Sequence, residues 1–199
     1  MTAAQAPTVQ DAAWVVLETP LASARLAAFV SDVQRLYRIN PFLEFIRWDD
    51  EGPSHWRAEV LNHSNGQRTV LEAKVGRMSE QVLQVDYAAG LKKCTRFDIE
   101  AAPCGSRLTI TEEYRASDSV NPQAQVDRSL HAWGVALKGY LERDQRWGRF
   151  VLYRWFMERV WLPMKPAARR ITFLVLVIGV ADIALVALGL AIYWIESGR

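Results

Sequence analysis

The spacing of apolar residues changes twice along the first 145 positions, and each change predicts a different kind of element. A short apolar run at 14–18 predicts a strand. Over 23–37 apolar residues recur every three or four positions, which predicts an amphipathic helix. A second helical stripe at 126–141 follows the Asn121-Pro122 pair and predicts a long helix near the end of this region.

Between the two helical stretches the pattern becomes that of short strands separated by turn residues. Alternation places Leu108, Ile110, Glu112 and Tyr114 on one face of the last strand, so one face of the sheet should be covered. Connections of hairpin length make the sheet antiparallel. The long second helix must cover its apolar face. The six predicted strands are 42–48, 55–61, 68–75, 81–87, 94–101 and 107–114.

The end of the chain is apolar throughout. Residues 171–195 read ITFLVLVIGVADIALVALGLAIYWI, and Asp182 is the single charge among them. About 20 apolar residues span a bilayer core. The alternative is a buried helix of a soluble domain, which is rarely apolar on all sides over such a length. We therefore expect one transmembrane helix, with a short tail at 196–199.

The charge distribution predicts an orientation for this span. The whole chain has a formal net charge of only +2, but residues 138–170 hold nine basic and three acidic residues, a net charge of +6. A positive flank remains in the cytosol. We therefore expect a single-pass protein of the inner cell membrane whose N-terminal domain is cytoplasmic.

The segment before the span combines arginines with aromatic residues. Residues 146–164 read RWGRFVLYRWFMERVWLPM. Because such side chains suit the headgroup layer, we expect 146–170 to lie at the membrane interface. The alternative is that the soluble helix continues and packs on its own domain. The predicted interface residues are Arg146, Trp147, Arg149, Phe150, Arg154, Trp155, Arg159 and Trp161.

The order of one strand, a helix, six strands and a long helix resembles the START-like superfamily, also called the SRPBCC or polyketide-cyclase-like fold. The segments SARLAAFVSDVQRLYRINP and HAWGVALKGYLER support this resemblance. It implies an α+β helix-grip domain at 13–145, after a flexible lead at 1–12, with a curved antiparallel sheet around the C-terminal helix. Members commonly hold a hydrophobic ligand between sheet and helix. Because no catalytic signature unites them, the resemblance assigns no catalytic residue.

Candidate ligand contacts are the side chains expected to face the interior between sheet and helix. Glu112 interrupts an apolar face, where a carboxylate must be paired, hydrated or neutral. It is either a polar hook inside a ligand cavity or an end-of-strand residue that reaches water or an arginine. The aromatic residues either line the cavity or fill the core. The candidates are Trp56, Tyr87, Phe97, Glu112, Tyr114, Trp133, Leu137 and Tyr140.

Motifs for metal or cofactor chemistry are absent from the sequence. The two cysteines form no CxxC pair, the three histidines are scattered, and there is no Gly-rich phosphate loop and no GxSxG motif. We expect neither a metal nor a cofactor.

Three functional hypotheses follow. The leading one is a membrane-anchored binding module for a hydrophobic ligand, lipid or quinone-like. The alternative is an accessory or assembly subunit of a larger integral membrane complex. Its docking face would be Gly179, Asp182, Val186 and Gly189, which share one side of the span. The third is an enzyme of the cyclase or dehydrase kind. The expected partners are membrane lipid, a hydrophobic small molecule and, under the alternative, a membrane protein, but not nucleic acid.

Overall fold

The computed structural model describes residues 12–115 and 123–197. One antiparallel sheet has the strand order β1-β7-β6-β5-β4-β3-β2. The predicted lead at 1–12 and the Asn121-Pro122 helix start lie almost wholly outside the described residues. The strands are β1 (Ala12–Thr19), β2 (Leu43–Gly52), β3 (His55–Asn62), β4 (Gln67–Ser79), β5 (Val82–Tyr87), β6 (Lys92–Ala102) and β7 (Gly105–Tyr114). The helices are α1 (Ser23–Ser31), α2 (Val33–Arg38), α3 (Gln123–Trp147), α4 (Val151–Phe156) and α5 (Pro166–Ser197).

The inner face of the sheet follows the predicted alternation. On β7 the buried side chains are Ser106, Leu108, Ile110 and Glu112, separated by less buried ones. Register shifts interrupt the pairing of β2 with β3, of β4 with β5 and of β6 with β7. Bulges bend strands and increase their twist, so these shifts help the sheet to curve around the helix that covers it.

The predicted helix at 23–37 is two helices, and the break lies at Asp32. Its backbone leaves the helical region, with φ −82° and ψ 77°. Its carboxylate Oδ1 accepts a hydrogen bond from the Arg35 backbone N at 3.1 Å. Asp is a favoured N-cap residue because it satisfies a free N–H of the first turn, so Asp32 begins α2 rather than continuing α1.

Helix α3 supplies the cover that the sheet requires. Its buried residues Leu130, Trp133, Leu137, Tyr140 and Leu141 recur at helical spacing and join the main core. Burial of each such side chain contributes about 1.5–3 kcal/mol relative to exposure. The α+β helix-grip architecture predicted from the sequence is therefore confirmed for this part of the chain.

The segment after α3 belongs partly to the same core. Helix α4 runs into a π-helical turn, Met157–Trp161. Met157 and Leu162 are buried within the main core, and Tyr153 and Phe156 pack against it. The chain divides into two compact units between Pro163 and Met164. The first part of the predicted interface segment is thus a helical extension of the domain.

The second unit contains α5. This helix has 32 residues and, by length and composition, is long and apolar enough to cross a membrane. None of the residues in its most apolar stretch is buried. It includes Glu196 and Ser197 of the predicted tail.

Candidate functional site

A polar cluster lies on the inner face of β5, β6 and β7. Thr95 of β6 is paired directly with Glu112 of β7. The Tyr87 hydroxyl at the end of β5 lies 3.1 Å from Thr95 Oγ1. All three residues are buried. Three neighbouring strands therefore bring hydrogen-bonding groups together in an otherwise apolar interior.

Tyr37 of α2 completes this part of the cluster from the helix side. Its hydroxyl lies 2.5 Å from the Tyr87 hydroxyl. Its ring centroid lies 5.1 Å from that of Trp133, 5.6 Å from that of Trp56 and 6.5 Å from that of Phe97. Tyr37 therefore joins α2, the sheet and α3, with its ring in an aromatic environment and its hydroxyl in the polar cluster.

Glu112 is 2% exposed, but it is not alone. Its carboxylate accepts hydrogen bonds from Lys92 Nζ and from the Tyr114 hydroxyl. The Lys92 side chain is about one-third exposed, at 34%, so the pair connects the interior with the surface. The carboxylate is thus paired, with a lysine and a tyrosine rather than with an arginine, and this pairing is compatible with both readings of Glu112. We call Tyr37, Tyr87, Thr95, Glu112, Lys92 and Tyr114 the polar cluster.

Burial controls the protonation of the cluster's tyrosines. It raises the pKa of both Tyr37 and Tyr87, and the nearby Glu112 carboxylate raises each pKa further. The phenols are therefore neutral at physiological pH. A neutral phenol can donate one hydrogen bond and also accept, so these hydroxyls could serve a carbonyl or a hydroxyl group.

Arg115 stabilises the turn between β5 and β6, which lies next to Tyr87 and Lys92 of the polar cluster. Its guanidinium donates to the carbonyl oxygens of Gly90 at 2.7 Å and Lys92 at 3.0 Å. It also donates to the Tyr87 carbonyl at 2.5 Å. These bonds fix the connection between β5 and β6, and with it the positions of Tyr87 and Lys92.

Trp56 brings an unused donor to the interior. Its indole Nε1 is buried and has no hydrogen-bond partner among the described residues. The ring stacks on Trp48 with centroids 4.4 Å apart. An unpaired buried N–H costs about 1–3 kcal/mol, so an acceptor that reached it would be favoured.

Tyr140 has a different role from the polar cluster. Its hydroxyl accepts a hydrogen bond from Arg35 Nε at 2.9 Å, and Arg35 also lies 3.6 Å from Asp144. The guanidinium sits 5.3 Å from the Tyr140 ring centroid. Burial raises the pKa of Tyr140 to about 12. These contacts tie α2 to α3.

Solved structures of other proteins share the fold of this domain. A START superfamily protein from Mycobacterium smegmatis matches with 18% identity and a TM-score of 0.56, over 67% of this chain and 98% of that one. The Zhui aromatase/cyclase from a Streptomyces species, R1128, matches with 14% identity and a TM-score of 0.55, over 69% and 96%. The fold is START-like. Identities this low establish the fold alone. No family model and no curated protein matches the chain.

The START-like domain places the predicted cavity residues on its inner side. Trp56, Tyr87, Phe97, Glu112, Trp133, Leu137 and Tyr140 are buried, and Tyr114 is half-buried. Tyr87, Glu112 and Tyr114 belong to the polar cluster, whereas Trp56, Phe97 and Trp133 surround the Tyr37 ring.

Sequence reasoning missed Tyr37, Thr95 and Lys92. Tyr37 occupies the apolar stripe of a predicted helix, and that pattern assigned it to the core. Thr95 alternates with Phe97 along β6, which was a signal for the inner face. Lys92 lies outside the predicted strand at 94–101. The strand β6 begins at Lys92, two residues before the apolar pattern that marked the prediction.

The predicted interface residues fall into two groups. Trp161 is half-buried, and its ring centroid lies 5.9 Å from that of Tyr140. The other seven are exposed, together with two aliphatic neighbours. We call this exposed set the arginine–aromatic surface. It comprises Arg146, Trp147, Arg149, Phe150, Val151, Leu152, Arg154, Trp155 and Arg159.

The predicted docking face of α5 is open within its own unit. A Cβ placed on Gly179 or Gly189 would meet no atom within 4 Å. Asp182 and Val186 are exposed.

Proposed function

We propose that this protein is a membrane-anchored binding module for a hydrophobic molecule with a polar end, lipid or quinone-like, held between the sheet and α3. The polar cluster is the observation that carries the proposal. A START-like fold suggests a cavity for a hydrophobic ligand at this interface. The cluster places hydrogen-bonding groups at this interface, where the polar end of a ligand would meet them.

The two kinds of side chain in the interior match the two ends of such a ligand. The rings of Trp56, Phe97 and Trp133 offer apolar contact to its body. The neutral hydroxyls of Tyr37 and Tyr87 offer donors and acceptors to its polar end. A few polar groups within an apolar lining are typical of small-molecule sites, because they fix the ligand's orientation.

The proposed anchor is α5. Its large apolar side chains are exposed, including Leu174, Ile183 and Leu190, each by more than half. Exposure of apolar surface to water costs about 25 cal/mol per Å², so a helix of this kind requires an apolar environment. A bilayer provides one, and the basic flank then keeps the domain in the cytoplasm at the inner membrane.

The experiment is to measure what the full-length protein holds after purification in a mild detergent. Native mass spectrometry should detect one lipid or quinone-like molecule for each chain. Thr95→Val keeps the side-chain volume but removes a hydroxyl from the polar cluster. The bound fraction should then fall by about five-fold, which corresponds to roughly one hydrogen bond.

Thr109→Val is the matched control. Thr109 belongs to β7 and pairs with Val16 of β1, on the opposite face of the sheet from the inward-facing Leu108 and Ile110. It should leave the bound fraction unchanged. A folded wild-type protein that retains no such molecule, or an equal loss in both variants, would contradict the proposed site.

An accessory subunit of a membrane complex is the second candidate function. The open face of α5 favours it, since Gly179 and Gly189 would permit close approach of a partner helix and Asp182 could bond across it. A cyclase or dehydrase remains the third hypothesis. One structural neighbour is an aromatase/cyclase, but at 14% identity the likeness concerns the fold.

A further inference from the structure

The helical extension after α3 has two apolar faces, and the START-like domain uses only one of them. Met157 and Leu162 are buried in the domain core. Leu152 and Trp155 point away from it, with exposed fractions of 76% and 55%. A helix needs one apolar face to pack on its own domain, so the second face indicates another apolar surrounding.

The charges of the whole segment indicate what that surrounding is. Residues 146–161 contain four arginines and one glutamate, a net charge of +3. Arg149 lies over the Phe150 ring at 4.8 Å, and the Trp147 and Phe150 rings are 5.8 Å apart. Aromatic rings flanked by arginines fit the boundary between anionic headgroups and acyl chains.

The short connection between this segment and α5 also favours a bilayer as the apolar surrounding. Four residues separate Trp161 from the first residue of α5. Such a connection spans at most about 18 Å. A bilayer that takes up α5 therefore lies within reach of the domain.

We propose that the arginine–aromatic surface docks the domain onto an anionic lipid bilayer, with Trp147, Phe150, Val151, Leu152 and Trp155 at the headgroup boundary. Trp161, by contrast, is half-buried and packs against the core of the domain. The inference rests on the proposed anchor, but it concerns a second membrane contact and does not depend on the interior ligand site.

Photo-crosslinking in nanodiscs tests this contact with the full chain. The photoreactive residue p-benzoylphenylalanine replaces Trp155 in one variant. In the control it replaces Val70, which is 46% exposed on β4 and lies beside Arg47 and Glu59. Illumination in nanodiscs of phosphatidylcholine with 30% phosphatidylglycerol should give phospholipid adducts at position 155 but not at position 70.

The charges are tested with Arg149→Gln and Arg154→Gln together. Because each basic residue near an anionic surface strengthens binding, the adduct yield at 155 should fall by about three-fold or more. Nanodiscs of phosphatidylcholine alone should lower the adduct yield at position 155 to a similar extent. The matched pair Arg47→Gln and Arg57→Gln, on β2 and β3, should have no effect.

Equal lipid adducts at 155 and 70, or a yield insensitive to phosphatidylglycerol, would overturn the docking proposal. Adducts at 155 to protein instead of lipid would also overturn it and indicate a protein interface. Carbonate extraction of native membranes reports the anchor separately. If carbonate extracts the chain, α5 is not a membrane anchor. Co-sedimentation with vesicles of the same composition then tests the arginine–aromatic surface by itself.

Discussion

Glu112 introduces a carboxylate into the core of the sheet, where burial of an isolated charge would be prohibitive. The structure compensates with two donors, Lys92 and Tyr114, and leaves the lysine in partial contact with solvent. Breaking such a pair is costly because the remaining group is left buried and unmatched. Replacing both members with apolar residues costs much less.

Glu112→Ala should therefore lower the free energy of unfolding by about 2 kcal/mol. The combination of Glu112→Leu with Lys92→Met should recover most of this loss, since neither residue then leaves an unpaired charge. Urea denaturation of the detergent-solubilised protein, followed by tryptophan fluorescence, measures both. If the double variant were no more stable than Glu112→Ala, the Glu112–Lys92 pair would stabilise the fold by more than the mutual neutralisation of its two charges.

Single residues were predictable from the sequence only where they interrupted a pattern. Glu112 was found because a carboxylate breaks an apolar alternation. Tyr37 was not, because an aromatic residue in an apolar stripe looks like any core residue, and its hydrogen bond to Tyr87 joins positions 50 residues apart. Pairing over such a distance depends on the fold and not on local spacing.

Among the elements, α3 packs tightly against β1 at Gly134. A Cβ there would lie 2.8 Å from Cγ2 of Val15, on the edge strand β1. Val15 is β-branched and has little freedom to move aside. At Gly139, five residues further along the same helix, an added Cβ would lie 3.3 Å from the flexible end of Arg143.

The two glycines therefore make a matched pair for mutation. Both gain helix propensity on substitution by alanine, up to about 1 kcal/mol. Gly134→Ala should nevertheless be less stable than Gly139→Ala by about 1–3 kcal/mol, because overpacking affects only position 134. Thermal or urea unfolding of the two variants measures the difference. Equal stability would show that α3 can move away from β1 at little cost.

The elements themselves were largely predictable, because alternation and turn residues mark strands and helical spacing marks α3. The exceptions have local causes. The Asp32 cap divided the first predicted helix, since one side chain can redirect a backbone without changing the apolar period. The segment at 146–163 was ambiguous because its two apolar faces suit a core and a membrane equally well. Burial of Met157 and Leu162 assigns one of those faces to the core.

At the scale of the whole molecule, the chain has two units with opposite needs. The first buries many of its apolar residues in its own core and exposes others, including those of the arginine–aromatic surface. The second exposes nearly all of them along α5. The proposed functions differ in what they require of α5. A binding module needs only an anchor, and any apolar helix of similar length would serve. An accessory subunit needs one particular helix face.

Combining Asp182→Leu with Gly179→Leu and Gly189→Leu distinguishes these requirements. The loss of the charge should improve insertion by about 3 kcal/mol. Hydrogen bonds between membrane helices average only about 0.6 kcal/mol, so removing Asp182 alone would disturb a partner little. The two added leucines block close approach on the same face. The control, Ala184→Leu with Ala191→Leu, enlarges the opposite face. If α5 docks, the triple variant should remain in the membrane after carbonate extraction but lose a membrane protein that co-purifies with the wild type and with the control. Retention of that protein in the triple variant, or its absence from the wild type, would make α5 a plain anchor.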